Sequence, residues 1–210
     1  MIDDPVFCGL AVIFTFIFLL SVGSFFKIIP SLGDCVMRWK GNLDLEDSLQ
    51  LSGSRNWMVM VLFVPLCMVV YSHGLYQPDY MESLPPALGL AATCGTMLAY
   101  LVLRSFLNWQ LEMGAYRTKT FTAANHAFFN YIIILFLIVF PVGAILNISF
   151  GNKELTRVVL LHVIAVTYLF HIFRRGQIFA SACNPFTTFL YLCGLELLPT
   201  IVLVLSAKLL

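Results

Sequence analysis

Charge is scarce in this sequence. Asp, Glu, Lys and Arg make up 11% of 210 residues, less than half of the roughly 25% usual in soluble domains. The formal net charge is +1, so there is no basic footprint for nucleic acid and no acidic tail. Cysteine is limited to six scattered positions, mostly in or beside apolar runs, with no pair at C-x-x-C spacing. That excludes the usual zinc and redox signatures, and a lone Cys in a helix behaves as a small hydrophobe. HExxH, Walker A, GxSxG and paired-carboxylate patterns are also missing. The chain is therefore expected to have no metal ligands, no cofactor and no catalytic residues, and not to be an enzyme. No internal repeat is evident, which counts against an inverted-repeat transporter.

Apolar residues are what the chain has in excess: 60% of the total, with 19 Phe and a mean hydropathy of +0.91. Six apolar runs stand out, at about 6–26, 57–73, 86–107, 128–147, 157–173 and 186–206. At ~20 residues per helical span these use about 120 residues, too many to leave room for an ordinary soluble domain. Continuous runs such as FFNYIIILFLIVF do not alternate in polarity as barrel strands must. The reading is an all-α membrane protein: one integral membrane domain over 1–210, a bundle of about six transmembrane helices with a short interfacial helix after the first. The first run is longer than a signal-peptide core and reads as a retained span.

Orientation follows from the basic residues. With the N-terminus outside, Lys27, Arg38, Lys40, Arg55, Arg104, Arg117, Lys119, Arg174 and Arg175 fall on the cytoplasmic side, against Lys153, Arg157 and Lys208 outside. Nine against three places both termini on the non-cytoplasmic side, with the acidic Asp3, Asp4, Asp79 and Glu82 external. Trp39, Trp57 and Trp109 fall near the cytoplasmic boundary. In the longest connection, 27–56, Ile28, Ile29, Leu32, Val36 and Met37 recur near helical spacing and predict a short helix lying in the interface. NLDLEDSLQLSGSRN reads as a polar surface loop. A second interfacial stretch is expected at 108–127.

Glu196 is the outstanding residue. It lies about ten residues from either end of the last run, roughly 15 Å from each interface, where an unpaired charge costs ~2.5–3.5 kcal/mol or more. It must therefore face protein or water, and alone it would tend to stay neutral. Pro199 cannot donate to the carbonyl of Leu195, which leaves a free acceptor nearby. Phe189, Cys193, Glu196 and Thr200 share one face of a regular helix, and at this depth the fifth run offers Thr167 and Tyr168 as hydrogen-bond partners. Two readings of Glu196 compete: a packing or assembly residue, or a proton- or ion-binding residue.

Other candidates are weaker. His171, Arg174 and Arg175 share a face near the cytoplasmic end and suit contact with a lipid phosphate; His162 lies on the opposite side. Ala91, Gly95 and Ala99 form a small-residue stripe of the kind that lets helices pack closely. Pro65 and Pro141 interrupt spans and permit kinks.

Three stretches, LRSFLNW, NHAFFNY with its later Pro141, and FRRGQIFASACNPFTTFLYLCGLELLP, carry a resemblance. The chain resembles a family of small polytopic bacterial inner-membrane proteins catalogued only as a domain of unknown function. The resemblance implies a similar length and span count and treats Glu196 and Pro199 as a unit; it implies no reaction, ligand or partner. The expected role is a non-catalytic subunit or scaffold of an envelope complex. Its expected partners are membrane lipid and other membrane or envelope subunits, contacted through 27–56 and the Arg117/Lys119 segment. The alternative is a small proton- or ion-coupled transporter using Glu196.

Overall fold

The computed structural model describes residues 5–81, 83–112 and 119–209. Asp3, Asp4, Glu82 and Arg117, together with the Lys119 side chain, lie outside the described residues. The chain forms α1 (Pro5–Met37), α2 (Gly41–Asp47), α3 (Leu49–Ser72), α4 (Pro86–Glu112), α5 (Lys119–Phe150), α6 (Lys153–Ala180), α7 (Pro185–Leu192) and α8 (Leu198–Leu209). A 3-10 turn at Asp79–Met81 precedes α4, and a π-helical segment, Cys193–Leu197, joins α7 to α8. Six of these stretches are long and apolar enough to cross a membrane: α1, α3, α4, α5, α6 and the continuous α7–π–α8 unit. Among the described residues there is no strand. The protein is an all-α membrane bundle.

Several helices run well past the expected spans. α1 has 33 residues and α5 has 32, each near 50 Å at 1.5 Å per residue, against a hydrocarbon layer of ~30 Å. The runs at 57–73 and 157–173 look short because polar residues flank them, yet α3 has 24 residues and α6 has 28. Hydropathy penalises residues such as Arg55 that are in fact buried and paired inside the bundle.

The interfacial helix expected at 28–37 is instead the continuation of α1, with Ile28, Leu32 and Cys35 in the core. The short helix after the first span is α2, in the stretch read as a polar loop, and it buries Gly41, Asn42 and Leu45. Gly41 makes this possible: a Cβ there would sit 2.6 Å from the Asp34 carbonyl carbon, so only glycine lets α2 fold back onto α1. The interfacial stretch at 108–127 is likewise mostly helix. Its later part opens α5, with Phe121, Ala123, Ala124 and Ala127 buried.

α5 is the hub. It packs against α6 most extensively, and also against α3, α2 and α1. The main core joins Ile28 and Leu32 of α1, Leu45 of α2, Met58 and Leu62 of α3, and Phe128, Ile132 and Ile133 of α5. The α5–α6 turn is tight, with Gly151 at φ +60, and the Asn152 side chain caps α6 by accepting from the amides of Glu154 and Leu155. Arg174 of α6 ends α1, because its Nη2 donates to the carbonyls of Val36 (2.5 Å) and Met37 (2.9 Å). These are two of the terminal carbonyls that a helix leaves without an internal partner.

Candidate functional site

The fold gathers Glu196 with three residues from two other helices. Arg104 of α4 donates from Nη2 to Glu196 Oε1 at 2.9 Å. Arg175 of α6 pairs with the same oxygen through Nη1, and His171 Nε2 lies 3.4 Å from it. Glu196 and Arg175 are fully buried, and Arg104 and His171 nearly so. Two guanidinium groups thus share one carboxylate, so the expectation of a lone neutral acid gives way to an ion-paired one.

Aromatic rings enclose the cluster. The Arg104 guanidinium stands 3.7 Å above the Phe128 ring centre, and the His171 ring stacks on Tyr131 at 4.7 Å. A cation over an aromatic face gains electrostatic stabilisation that grows when water is excluded. Arg175 also reaches α5, where its Nη2 donates to Asn125 Oδ1 at 3.2 Å.

Local helix geometry places the acid. Pro199 removes the amide that would close a regular turn onto Leu195, and the Leu198 amide bonds Cys193 instead, closing a wider π turn. Such single π turns in α-helices recur at functional sites. The wider turn also breaks the expected face: Glu196 is buried and Thr200 points into the bundle, whereas Phe189 is largely exposed.

Tyr168 behaves partly as expected. Its hydroxyl donates to the Glu196 main-chain carbonyl at 2.9 Å and meets Thr200 Oγ1 at 2.7 Å, while Tyr100 lies 3.4 Å from Thr200 Oγ1. A phenol has one proton, so Tyr168 must accept from Thr200 and Thr200 from Tyr100. The chain Tyr100–Thr200–Tyr168 therefore ends on the Glu196 backbone. Thr167 does not join it; its hydroxyl donates to its own helix at Val163.

Two further expectations are corrected. His171, Arg174 and Arg175 do not form a lipid-phosphate site. His171 and Arg175 face Glu196, and Arg174 is held by α1 and by Gln177. Burying paired groups in the bundle wins over leaving them at the headgroups. The Ala91/Gly95/Ala99 stripe lies on the exposed face of α4, with nothing near Gly95. The face that packs carries Leu90 and Arg104, and Gly89 against Tyr71.

A second polar cluster lies around α2. Arg55 Nη1 donates to Glu46 Oε2 at 2.7 Å, and His126 Nδ1 is 2.7 Å from Glu46 Oε1. Partial burial pushes the Glu46 carboxyl up, but the bonds and charges of Arg55 and His126 outweigh it and hold the group below its ordinary value. Nearby, Asn130 donates to Asn42 at 2.9 Å. A cavity of about 40 Å³ sits between the clusters, lined by Asn42, Asn130, Thr167, His171 and Arg174.

Sequence reasoning missed Arg104, Arg55, Glu46, His126 and Asn130. The available signal was complementarity: an acid deep in the membrane calls for a cation within reach, and Arg104 follows the apolar MLAYLVL directly. No family model, no curated protein and no solved structure matches the chain.

Proposed function

We propose that this chain is a non-catalytic inner-membrane protein, a subunit or scaffold of an envelope assembly, in which the Glu196 cluster clamps the last span to α4 and α6. One observation carries the reading: a fully buried carboxylate has its Oε1 occupied by Arg104, Arg175 and His171 of the same chain. Neither the 40 Å³ cavity nor the larger cleft of the bundle is lined by Glu196. A sealed, ion-paired acid favours fixed architecture over a cycling proton site. The basic-residue bias supports both termini being outside the cytoplasm. Arg55, Arg104 and Arg175 are buried rather than at headgroups, which leaves six against three with the same sign. Met37 and Leu49, strongly exposed on either side of α2, mark the part of 27–56 that would meet envelope partners or lipid.

The transporter reading has one observation in its favour. His171 lines the small cavity while its Nε2 faces Glu196, and the Tyr100–Thr200–Tyr168 chain ends on the main-chain carbonyl of the same residue. The two readings separate in one experiment: purification of the full chain in mild detergent with identification of co-eluting proteins, alongside proton flux in liposomes. The subunit reading expects stoichiometric envelope proteins and no flux above empty liposomes. A lone chain with flux that Glu196→Gln abolishes would establish the carrier and end the subunit reading.

A further inference from the structure

A second feature lies away from the Glu196 cluster. Between α1, α3 and α5 runs a cleft of about 720 Å³, well inside the 300–1,000 Å³ range typical of small-molecule sites. Its walls are apolar, including Phe14, Met68, Phe136 and Phe140. Both Pro65 and Pro141 line it. Neither can close the normal helical hydrogen bond, so each lets its helix bend away from the other.

The length of the cleft is informative. On α3 it runs from Val61 to Ser72 and on α5 from Phe136 to Asn147; either stretch covers about 16 Å at 1.5 Å per residue. That equals one leaflet, half of a ~30 Å hydrocarbon layer. The polar groups cluster at one end, apart from Thr15 partway along α1, whose hydroxyl donates to its own helix at Ala11. Ser72, His73 and Asn147 sit where α3 and α5 finish, on the side of the bundle where α1 begins. His73 Nδ1 lies 3.0 Å from both the Val69 carbonyl and the Ser72 hydroxyl; in the tautomer whose Nδ1 donates to that carbonyl, Nε2 is the acceptor. Gly143 gives that nitrogen room, since a Cβ there would come within 3.2 Å of it.

We propose that this cleft is a binding site for one acyl chain of a membrane phospholipid. The chain lies between Pro65 and Pro141, and a hydrogen-bond donor of the headgroup, such as the ammonium of phosphatidylethanolamine, meets His73 Nε2. An apolar slot one leaflet deep with an acceptor at its mouth matches a lipid in its ordinary orientation, and the spans around it place it in lipid. Annular lipid would touch all outward faces equally; this slot takes a chain between helices.

The test uses the full chain in nanodiscs containing phosphatidylethanolamine with a photoreactive diazirine on one acyl chain, followed by mapping of labelled peptides. Labelling at Phe14, Met68, Phe136 and Phe140 is expected to exceed that at Leu169 and Phe173, on the lipid-facing side of α6, several-fold. Ala144→Trp, which fills the slot, is expected to reduce cleft labelling several-fold without changing α6 labelling. Even labelling of all outward faces in the unmodified protein overturns the proposal, and needs no variant to fold. Labelling unchanged in Ala144→Trp, or a second polypeptide cross-linked in the cleft in native membranes, overturns it too.

Discussion

Arg175 and Glu196 face each other across the turn between α6 and α7, and Arg104 reaches the same carboxylate oxygen from α4. A single acid thus joins three membrane-crossing stretches. The acid and its cations are unequal in consequence: loss of the acid strands two charges, whereas loss of either cation leaves a neutral pair.

That asymmetry orders the expected mutational losses. Glu196→Gln strands two buried guanidinium groups and is expected to cost about 3–5 kcal/mol, the range for breaking a buried pair. Arg104→Gln leaves Arg175 and Glu196 matched and is expected to cost on the order of 1–3 kcal/mol, as for a lost hydrogen bond to a charged group. Thermal unfolding in detergent micelles measures both. A larger loss for Arg104→Gln would contradict the pairing described.

The cluster around Glu46 carries a pH dependence of known sign. Its carboxyl is held below the ordinary value of 4.5, so its contribution is complete above that pH and is lost as pH falls through the lower folded value. Melting temperatures between pH 7 and pH 3 are expected to drop less steeply below pH 4.5 in Glu46→Gln than in the unmodified protein. At pH 7 the variant should already be less stable, by on the order of 2 kcal/mol.

Arg174 is expected to act on α1 rather than on lipid. Arg174→Ala removes the donors to Val36 and Met37. Hydrogen exchange should therefore speed up at residues 36–40 and stay unchanged around Glu196. Altered phospholipid binding with unchanged exchange at those residues would restore the headgroup role.

Pro199→Ala returns the missing amide and permits a regular helix. Narrowing the π turn rotates the preceding residues by roughly 100° relative to α8, which separates the Glu196 cluster from Thr200. In a double-mutant cycle, Tyr168→Phe and Thr200→Val are expected to couple by about 1 kcal/mol in the parent. In the Pro199→Ala background that coupling should vanish.

The sequence made the bundle and the importance of Glu196 legible because both follow from local solvation. Runs such as FFNYIIILFLIVF admit only a helix in lipid, and a mid-membrane acid must be sheltered. The partners of Glu196 were not legible, because Arg104 and Arg175 are near span ends where cations usually serve as headgroup anchors. Only tertiary packing decides that they turn inward. α2 was hidden for a related reason: NLDLEDS is polar in composition, yet Asn42 and Glu46 meet Arg55 of the next helix and Asn130 and His126 of distant α5. The face of Thr200 was readable and that of Phe189 was not, since the π turn between them shifts the period.

The most direct measurement is a charge-exchange cycle: Glu196→Arg, Arg175→Glu and the two together, each followed by folded yield and melting temperature in detergent. Each single change is expected to lower both sharply. The pair together should recover a substantial part, with a coupling energy above ~1 kcal/mol. Losses that simply add would contradict a clamp built on these two side chains.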